Sequence, residues 1–568
     1  MKLLAAVALL VSSSAHAGYL QVCPAGQAPQ DGVRAALAGG SVVMASSTAQ
    51  LPGCRASALG LDAGLVDGLY PLPAGDSPAR TILLYGAVDK KPFAPSSHDL
   101  PQPDRPGVQP PRRPVPLRAN LLADARVRPF GVEERVRVVH ADGRLRLDCG
   151  AGQRAAGVLI DGPWQLPLAE LRLAVRYSAG GAFVLQAADA ASAARETAWP
   201  LGELDGAARE AALPLPAGLD RAGWRQFVLL CPSSAATLAL DRLALEPVAG
   251  RAQPRASWIW ERTAWRDDAD ALLAWAGREA IRELFIVVSL DGAKVKEPAR
   301  LAAFVRRAGR AGIAVTAVEG DPHMVLPTQR AATSDRALAY AAYNRAVAPD
   351  ERLRAMQFDV EPYLLDDAEL DPKARDREYL AMAQALHAAA GGMPIEFVVP
   401  FWWWDKDALL AGLARSSDGL AVMDYRTDPD DIVRFAVTFL DWGSRHGKRV
   451  RIALEAGRVA PELQRRYVRA EAGETGSLLL ARAGEASVLV LLREPVKEAS
   501  GTLYRLSGER TLDGSATSFH SDRARLRSLL PGLERDFSAW FSFGGIALHG
   551  WRQERMRSFA GGHAHPTN

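Results

Sequence analysis

The stretch Met356-Gln357-Phe358-Asp359-Val360-Glu361-Pro362-Tyr363 decides the fold. Apolar and polar residues alternate through it, so Gln357, Asp359 and Glu361 share one face and Phe358 and Val360 share the other. A strand that presents Gln, Asp and Glu on one side and packs Phe and Val on the other has a polar interior to line. Its neighbours in sequence say what kind.

On either side, from Pro254 onward, a strand followed by an amphipathic helix repeats. The expected strands are Ser257 to Glu261, Leu284 to Leu290, Ile313 to Glu319, Met356 to Glu361, Ile395 to Phe401, Gly419 to Tyr425, Val450 to Glu455 and Gly545 to His549. Segments such as ARLAAFVRRAGRAG and PDDIVRFAVTFLDWGSRHG lie between them, with apolar residues three and four apart. Eight strands with intervening helices over residues 255–560 predict an α/β fold of the (β/α)8 TIM-barrel type. The segment 458–519 interrupts the repeat with VLVLLREP and TLYRLSG and is expected as an insertion on the barrel.

Residues 119–250 differ. Short alternating runs (RLRLDCG, LRLAVRYS, FVLQAAD, QFVLLCP, LALDRLALEP) are separated by Gly, Asp and Pro, which predicts an antiparallel β-sandwich. Its layout resembles the jelly-roll modules that accompany carbohydrate-active enzymes, and a carbohydrate-binding and a purely structural role both stay open. Residues 89–118 hold nine prolines and are expected as an extended linker. Residues 18–88 form a small Ala/Gly-rich N-terminal region of no assigned role.

The first 17 residues, MKLLAAVALLVSSSAHA, combine a lysine, a short apolar run and Ala15-His16-Ala17, the pattern of a secretory signal peptide. A periplasmic or secreted protein is expected. No other segment supplies the roughly 20 apolar residues a transmembrane helix needs. The 68 basic and 65 acidic residues of the 568-residue chain leave a net charge of +3, without the basic excess that nucleic acid selects. The four cysteines Cys23, Cys54, Cys149 and Cys231 have no metal-ligand spacing. Three disulfide pairings are open, and Cys23–Cys54 with Cys149–Cys231 is preferred because each pair then falls within one expected domain.

In a parallel barrel the chemistry sits at the C-terminal ends of the strands. Here those ends carry Trp260, Glu319 followed by His323, Asp359 and Glu361 followed by Tyr363, Trp402 to Trp404, Asp424 and Tyr425, Glu455, His549 and Trp551. Glycosidic cleavage uses two carboxyl groups across the bond, one donating a proton and one stabilising or attacking the anomeric centre. Glu361 and Glu455 fit that need, with Asp359 tuning Glu361. Trp260, Trp402, Trp404, Tyr363, Tyr425 and Trp551 are candidate platforms for sugar rings, and Asp424, Glu319, His323 and His549 candidate partners for hydroxyls. Alternation puts Trp402 or Trp404, but not all three tryptophans, in the cleft. No cofactor or metal is implied, since the histidines are scattered.

Val360-Glu361-Pro362 resembles the Asn-Glu-Pro motif of the retaining glycosidases that carry one Glu on strand four and another on strand seven, and Leu454 to Gly457 resembles their second motif. That resemblance implies Glu361 as acid/base and Glu455 as nucleophile; Val360 departs from it in place of Asn. Asp359 and Glu361, with Met423, Asp424 and Tyr425, are also similar to the chitinase family, with Gln357 in place of its first acid and Arg426 in place of an Asp. That resemblance implies substrate-assisted hydrolysis of N-acetylhexosamine glycans, with Glu361 the acid and Asp359 and Tyr425 assisting. The expected partner is a polysaccharide or oligosaccharide. A noncatalytic glycan-binding or polysaccharide-assembly protein on a degenerate barrel is the alternative.

Overall fold

The computed structural model describes residues 17–24, 32–37, 40–45, 53–72, 81–87, 94–95, 113–195, 197–206, 209–365, 369–483 and 486–552. The expected signal peptide, apart from Ala17, and most of the segment 89–118 expected as a linker lie outside them. The chain divides into two compact units.

The larger unit holds a closed barrel of eight parallel strands. They are β1 (Arg255–Ile259), β2 (Ile281–Ile286), β3 (Ala314–Glu319), β4 (Met356–Phe358), β5 (Ile395–Pro400), β6 (Gly419–Met423), β7 (Arg449–Glu455) and β8 (Phe543–His549). β8 pairs with both β7 and β1, which closes the ring. Helices occupy the connections, among them Pro298–Arg310, Arg330–Ala346, Arg375–Ala389, Pro429–His446 and Arg523–Phe537. All eight expected strands are present, with ends that differ by a few residues. β4 is shorter than its pattern: the ladder stops at Phe358, although the Asp359 N–H still reaches the Glu319 carbonyl at 2.7 Å. The fifth strand stops at Pro400, and Phe401–Asp405 turn into a 3-10 helix. That corrects the expected alternation of the tryptophans, because a 3-10 helix repeats every three residues rather than two.

Side-chain alternation fills the barrel in layers. Ala256, Trp258, Phe285, Val318, Val398, Ala421, Met423, Ala453 and Ala547 form one apolar cluster inside it. Two residues earlier on several strands lies an ionic layer. Arg451, which is buried, donates to Glu283 at 2.7 Å, to Glu396 at 3.0 Å and to the Gly544 carbonyl at 3.0 Å. Thr316 donates to Glu283 at 2.8 Å, and Arg354 adds a second guanidinium at 3.0 Å. Gln357 links this layer to the apolar one: its amide N–H donates to Glu396 at 2.5 Å and its carbonyl accepts the Trp258 indole N–H at 2.7 Å.

The same unit contains two five-stranded antiparallel sheets over residues 126–247, each with one buried face. Trp164, Trp224, Phe183 and Phe227 are buried there. Cys149 and Cys231 form a disulfide in this region. Backbone N–H groups of Leu168, Glu170 and Gly250 donate to Asp441, Ala539 and Ser538 of the barrel, at 2.8, 2.9 and 2.9 Å.

The second unit is β-rich and joins segments the sequence placed apart. Strands Val66–Leu72 and Thr81–Ala87 lie in one seven-stranded sheet with Glu462–Arg469, Gly476–Ala483, Ala486–Val496 and Thr502–Leu512. The insertion therefore folds with the N-terminal region. Leu479, Val488, Val490 and Leu492 of the insertion share a core with Leu20, Val42, Met44, Leu59 and Leu69. Cys23 and Cys54 form the other disulfide. Such a core needs strands about 400 residues apart in sequence, which no local pattern announces. Among the described residues no helix is long and apolar enough to cross a membrane.

Candidate active site

One layer above the apolar cluster, alternation brings a polar set to the C-terminal end of the barrel. Trp260 follows Trp258 by two residues, Asp359 follows Gln357, Tyr425 follows Met423, Glu455 follows Ala453 and His549 follows Ala547. The interior parity of each strand is what selects these side chains.

Glu455 is buried at 6 % exposure, yet both its oxygens are engaged. Oε1 accepts the Gly457 N–H at 2.5 Å and Oε2 accepts from Nδ1 of His549 at 2.6 Å. Burial pushes the Glu455 pKa up, but the His549 hydrogen bond and the two backbone N–H groups outweigh it and hold the carboxylate below its ordinary value. The other ring nitrogen of His549, Nε2, accepts the Trp260 indole N–H at 2.9 Å. Indole N–H is only a donor, so Nε2 carries the lone pair and Nδ1 the proton in this arrangement. Burial disfavours the imidazolium, while Glu455, Asp359 and Glu361 favour it and prevail, so the His549 pKa lies above its ordinary value.

Asp359 behaves in the opposite way to Glu455. Burial and the adjacent charge of Glu361 push its carboxyl from 3.8 up to about 7. Its Oδ1 is buried without a hydrogen-bond partner among the described residues, which fits the neutral acid. Two carboxyls of one site are thus separated by environment, one kept ionised and one kept protonated. Tyr425 stacks on His549 with ring centroids 6.1 Å apart, and its phenol is pushed well up by burial, then by Glu455, Asp359 and Glu361. Glu361 is half-buried and acts electrostatically on Asp359, Tyr425, Tyr379 and His549.

Several supports of this layer escaped the sequence reading. Gly550 adopts φ +58°, and a Cβ there would meet Gly457 at 2.3 Å and Glu455 Oε1 at 2.9 Å, so two glycines make room for the carboxylate. Arg523 binds the carbonyls of Ala456 and Gly550 at 2.8 Å each and of Trp551 at 2.7 Å, fastening the ends of β7 and β8 together. The available signal was its place: a cation at the first position of helix Arg523–Phe537 opposes the helix dipole and needs another reason to be there. Ser518 donates to the Gly457 carbonyl at 2.6 Å. Tyr379, from helix Arg375–Ala389, is raised by burial and by Asp359 and Glu361.

The remaining expected residues have these surroundings. Glu319 is buried against Tyr340 and Arg336, which act as its fixed partners. Asp424 is fully buried, its electrostatic neighbours are Arg426, Asp431 and Arg434, and burial raises its carboxyl well above the ordinary range. Trp551 is buried, with its indole N–H on Glu279 at 3.1 Å and the guanidinium groups of Arg523 and Arg527 against its ring. Trp402 packs on Phe401 at 5.2 Å, and Trp404 is 41 % exposed in the same 3-10 turn. His323 is exposed beside Asp321, which accepts from its Nδ1 at 2.8 Å. Tyr363 is half-buried in the turn Pro362–Leu364. Among the described residues no group of three or more His, Cys, Asp or Glu side chains could hold a metal ion.

No family model matches this chain, and no curated protein matches it. Among solved structures it is similar to the CBM22-1 and GH10 modules of an endo-1,4-beta-D-xylanase of Clostridium thermocellum complexed with xylohexaose. Identity is 10 %, coverage is 64 % of this chain and 82 % of that one, and the TM-score is 0.26. A chitinase from Bacteroides thetaiotaomicron gives 11 % identity, 36 % and 68 % coverage, and a TM-score of 0.27. A family 29 carbohydrate-binding module gives 10 % identity, 21 % and 77 % coverage, and a TM-score of 0.17. At these scores the site has to be argued from its own geometry.

Proposed function

We propose that the protein is an exported glycoside hydrolase whose active site is the C-terminal end of a (β/α)8 barrel at 255–560. The observation that carries this reading is the carboxyl layer at that end: Glu455 on β7 accepts from the Gly457 N–H and His549 Nδ1, which favours its anion, while Asp359 after β4 has a buried, unpartnered Oδ1 beside Glu361, which favours its neutral acid. Hydrolysis of a glycosidic bond asks for that division of labour. Glu361 protonates the leaving oxygen, Asp359 supplies the proton reserve beside it, and Glu455 attacks or stabilises the anomeric carbon. Where Glu455 has attacked, water then bonds to the anomeric carbon as the glycosyl–Glu455 bond breaks and Glu361 takes the water's proton; where Glu455 only stabilises, no covalent bond to it forms or breaks. Trp260 and Tyr425 are the aromatic faces of the same layer and the proposed contacts for the ring.

Residues 119–250 are proposed as a sandwich that braces the barrel. Its Trp164 and Trp224 are buried, and one of its sheets turns Arg137, Arg146, Arg172, Arg176 and Thr237 outward. The two disulfides fit an oxidising compartment, so export under the direction of residues 1–17 belongs to the same proposal.

The test is the trapping of a covalent intermediate. A fluoroglycoside of the sugar released by the enzyme should add one glycosyl mass to the peptide that contains Glu455. An active enzyme that is never labelled would favour the substrate-assisted reading, which the elevated Asp359 beside Tyr425 also accommodates and which leaves Glu455 without a chemical step.

A further inference from the structure

Resting on that hydrolase reading, we propose that Trp260 and His549 are positioning residues that hold Glu455 as an anion through a neutral imidazole, so that a second proton on His549 disables the site. Three hydrogen bonds in series carry the argument: Trp260 Nε1 to His549 Nε2 at 2.9 Å, His549 Nδ1 to Glu455 Oε2 at 2.6 Å, and Gly457 N to Glu455 Oε1 at 2.5 Å. The indole N–H has no acceptor lone pair, so it dictates the Nδ1–H tautomer from the residue that follows β1. Through that tautomer the ring donates to Glu455 without adding a positive charge. The carboxylate is oriented, and its charge stays available to an electron-poor anomeric carbon.

Protonating Nε2 would set two N–H groups against each other across 2.9 Å. The Trp260 bond has to break, and the imidazolium left beside Glu455 neutralises the charge the reaction uses. The groups facing His549 are Glu455 from β7, Asp359 and Glu361 after β4, and Tyr425 after β6, whose ring lies 6.1 Å away; Trp258 and Trp260 from β1 add no charge. Carboxylate charge therefore draws a proton toward His549, that of Asp359 only once it ionises, and among these neighbours Trp260 is the group whose hydrogen bond to Nε2 opposes it. Gly320 leaves the room for this indole, since a Cβ there would meet its ring at 3.3 Å.

The experiment is a pH titration of the full chain labelled with 15N-histidine, read by long-range proton–nitrogen correlation, with the His549 signals assigned by their loss in His549→Asn. At pH 8 the wild type should show the neutral Nδ1–H tautomer; an Nε2–H tautomer or an imidazolium at that pH overturns the proposal without recourse to any variant. In Trp260→Phe the His549 midpoint should rise by about one pH unit, the equivalent of one lost hydrogen bond. An unchanged midpoint overturns the part given to Trp260. On substrate, the acid limb of kcat/KM should move up with that midpoint, and His549→Asn, whose amide still donates to Glu455, should lose the limb while KM stays within about threefold. An acid limb that persists in His549→Asn overturns the switch. The predicted tautomer in a protein inert toward every glycan supports the hydrogen-bond series and refutes only the hydrolase reading.

Discussion

Replacing Asp359 by Asn should stabilise the protein, and only above acidic pH. In the fold the Asp359 carboxyl is pushed from 3.8 to about 7, first by burial and then by Glu361. An acid whose folded pKa is raised contributes its full stability below the unfolded pKa and loses it as pH climbs through the folded one. The gap between 3.8 and about 7, at about 1.4 kcal/mol per pH unit, amounts to about 4 kcal/mol that the wild type gives up between pH 3 and pH 8. Asn imitates the protonated acid and never ionises, so the variant is spared that loss. Urea unfolding of both proteins at matched pH values, followed by tryptophan fluorescence, should give equal midpoints at pH 3 and a growing advantage for the variant, about 2 to 4 kcal/mol by pH 8. Equal stabilities at pH 8, or a less stable variant there, would refute the buried, proton-holding Asp359.

Arg451→Met leaves the buried Glu283 and the half-buried Glu396 short of their shared cation, so unfolding should become easier by about 3 to 5 kcal/mol in the same urea assay. Gly550→Ala should reduce kcat at least about 100-fold with little effect on the β-rich unit, because the added methyl displaces Gly457 and with it the N–H on Glu455. Arg523→Gln removes the clamp on Ala456, Gly550 and Trp551, so turnover should fall while the circular dichroism spectrum stays unchanged. Reduction of Cys149–Cys231 opens a link between residues 82 apart and should lower thermal stability by about 2 to 5 kcal/mol, read by calorimetry with and without reductant.

Local pattern carried the barrel. Each strand from Arg255–Ile259 to Phe543–His549 announced itself by an apolar run between amphipathic helices; alternation in the fourth singled out Asp359, and the strand ends Glu455 and His549. Pairing across long sequence distances was not legible. The joining of Val66–Leu72 to Ala486–Val496 depends on tertiary context alone. The three consecutive tryptophans were misjudged because a 3-10 turn replaces the strand after Pro400. Trp551 sat at the expected strand end, yet its partners Glu279, Arg523 and Arg527 take it as packing, and nothing within its own segment reveals them. The tautomer of His549 likewise follows from Trp260, nearly 300 residues earlier, through a contact that only the closed ring creates.

Hydrolysis by Glu361 is measured most directly as the initial rate of reducing-end release from a panel of polysaccharides of defined linkage, by the wild type and by Glu361→Gln side by side, with affinity measured on the same polymers. A hydrolase with Glu361 as its acid cleaves at least one polymer, and the variant falls by about 100-fold or more while binding stays within a few-fold. Equal rates from the two proteins, or a wild type that binds a glycan and cleaves none of the panel, would contradict it.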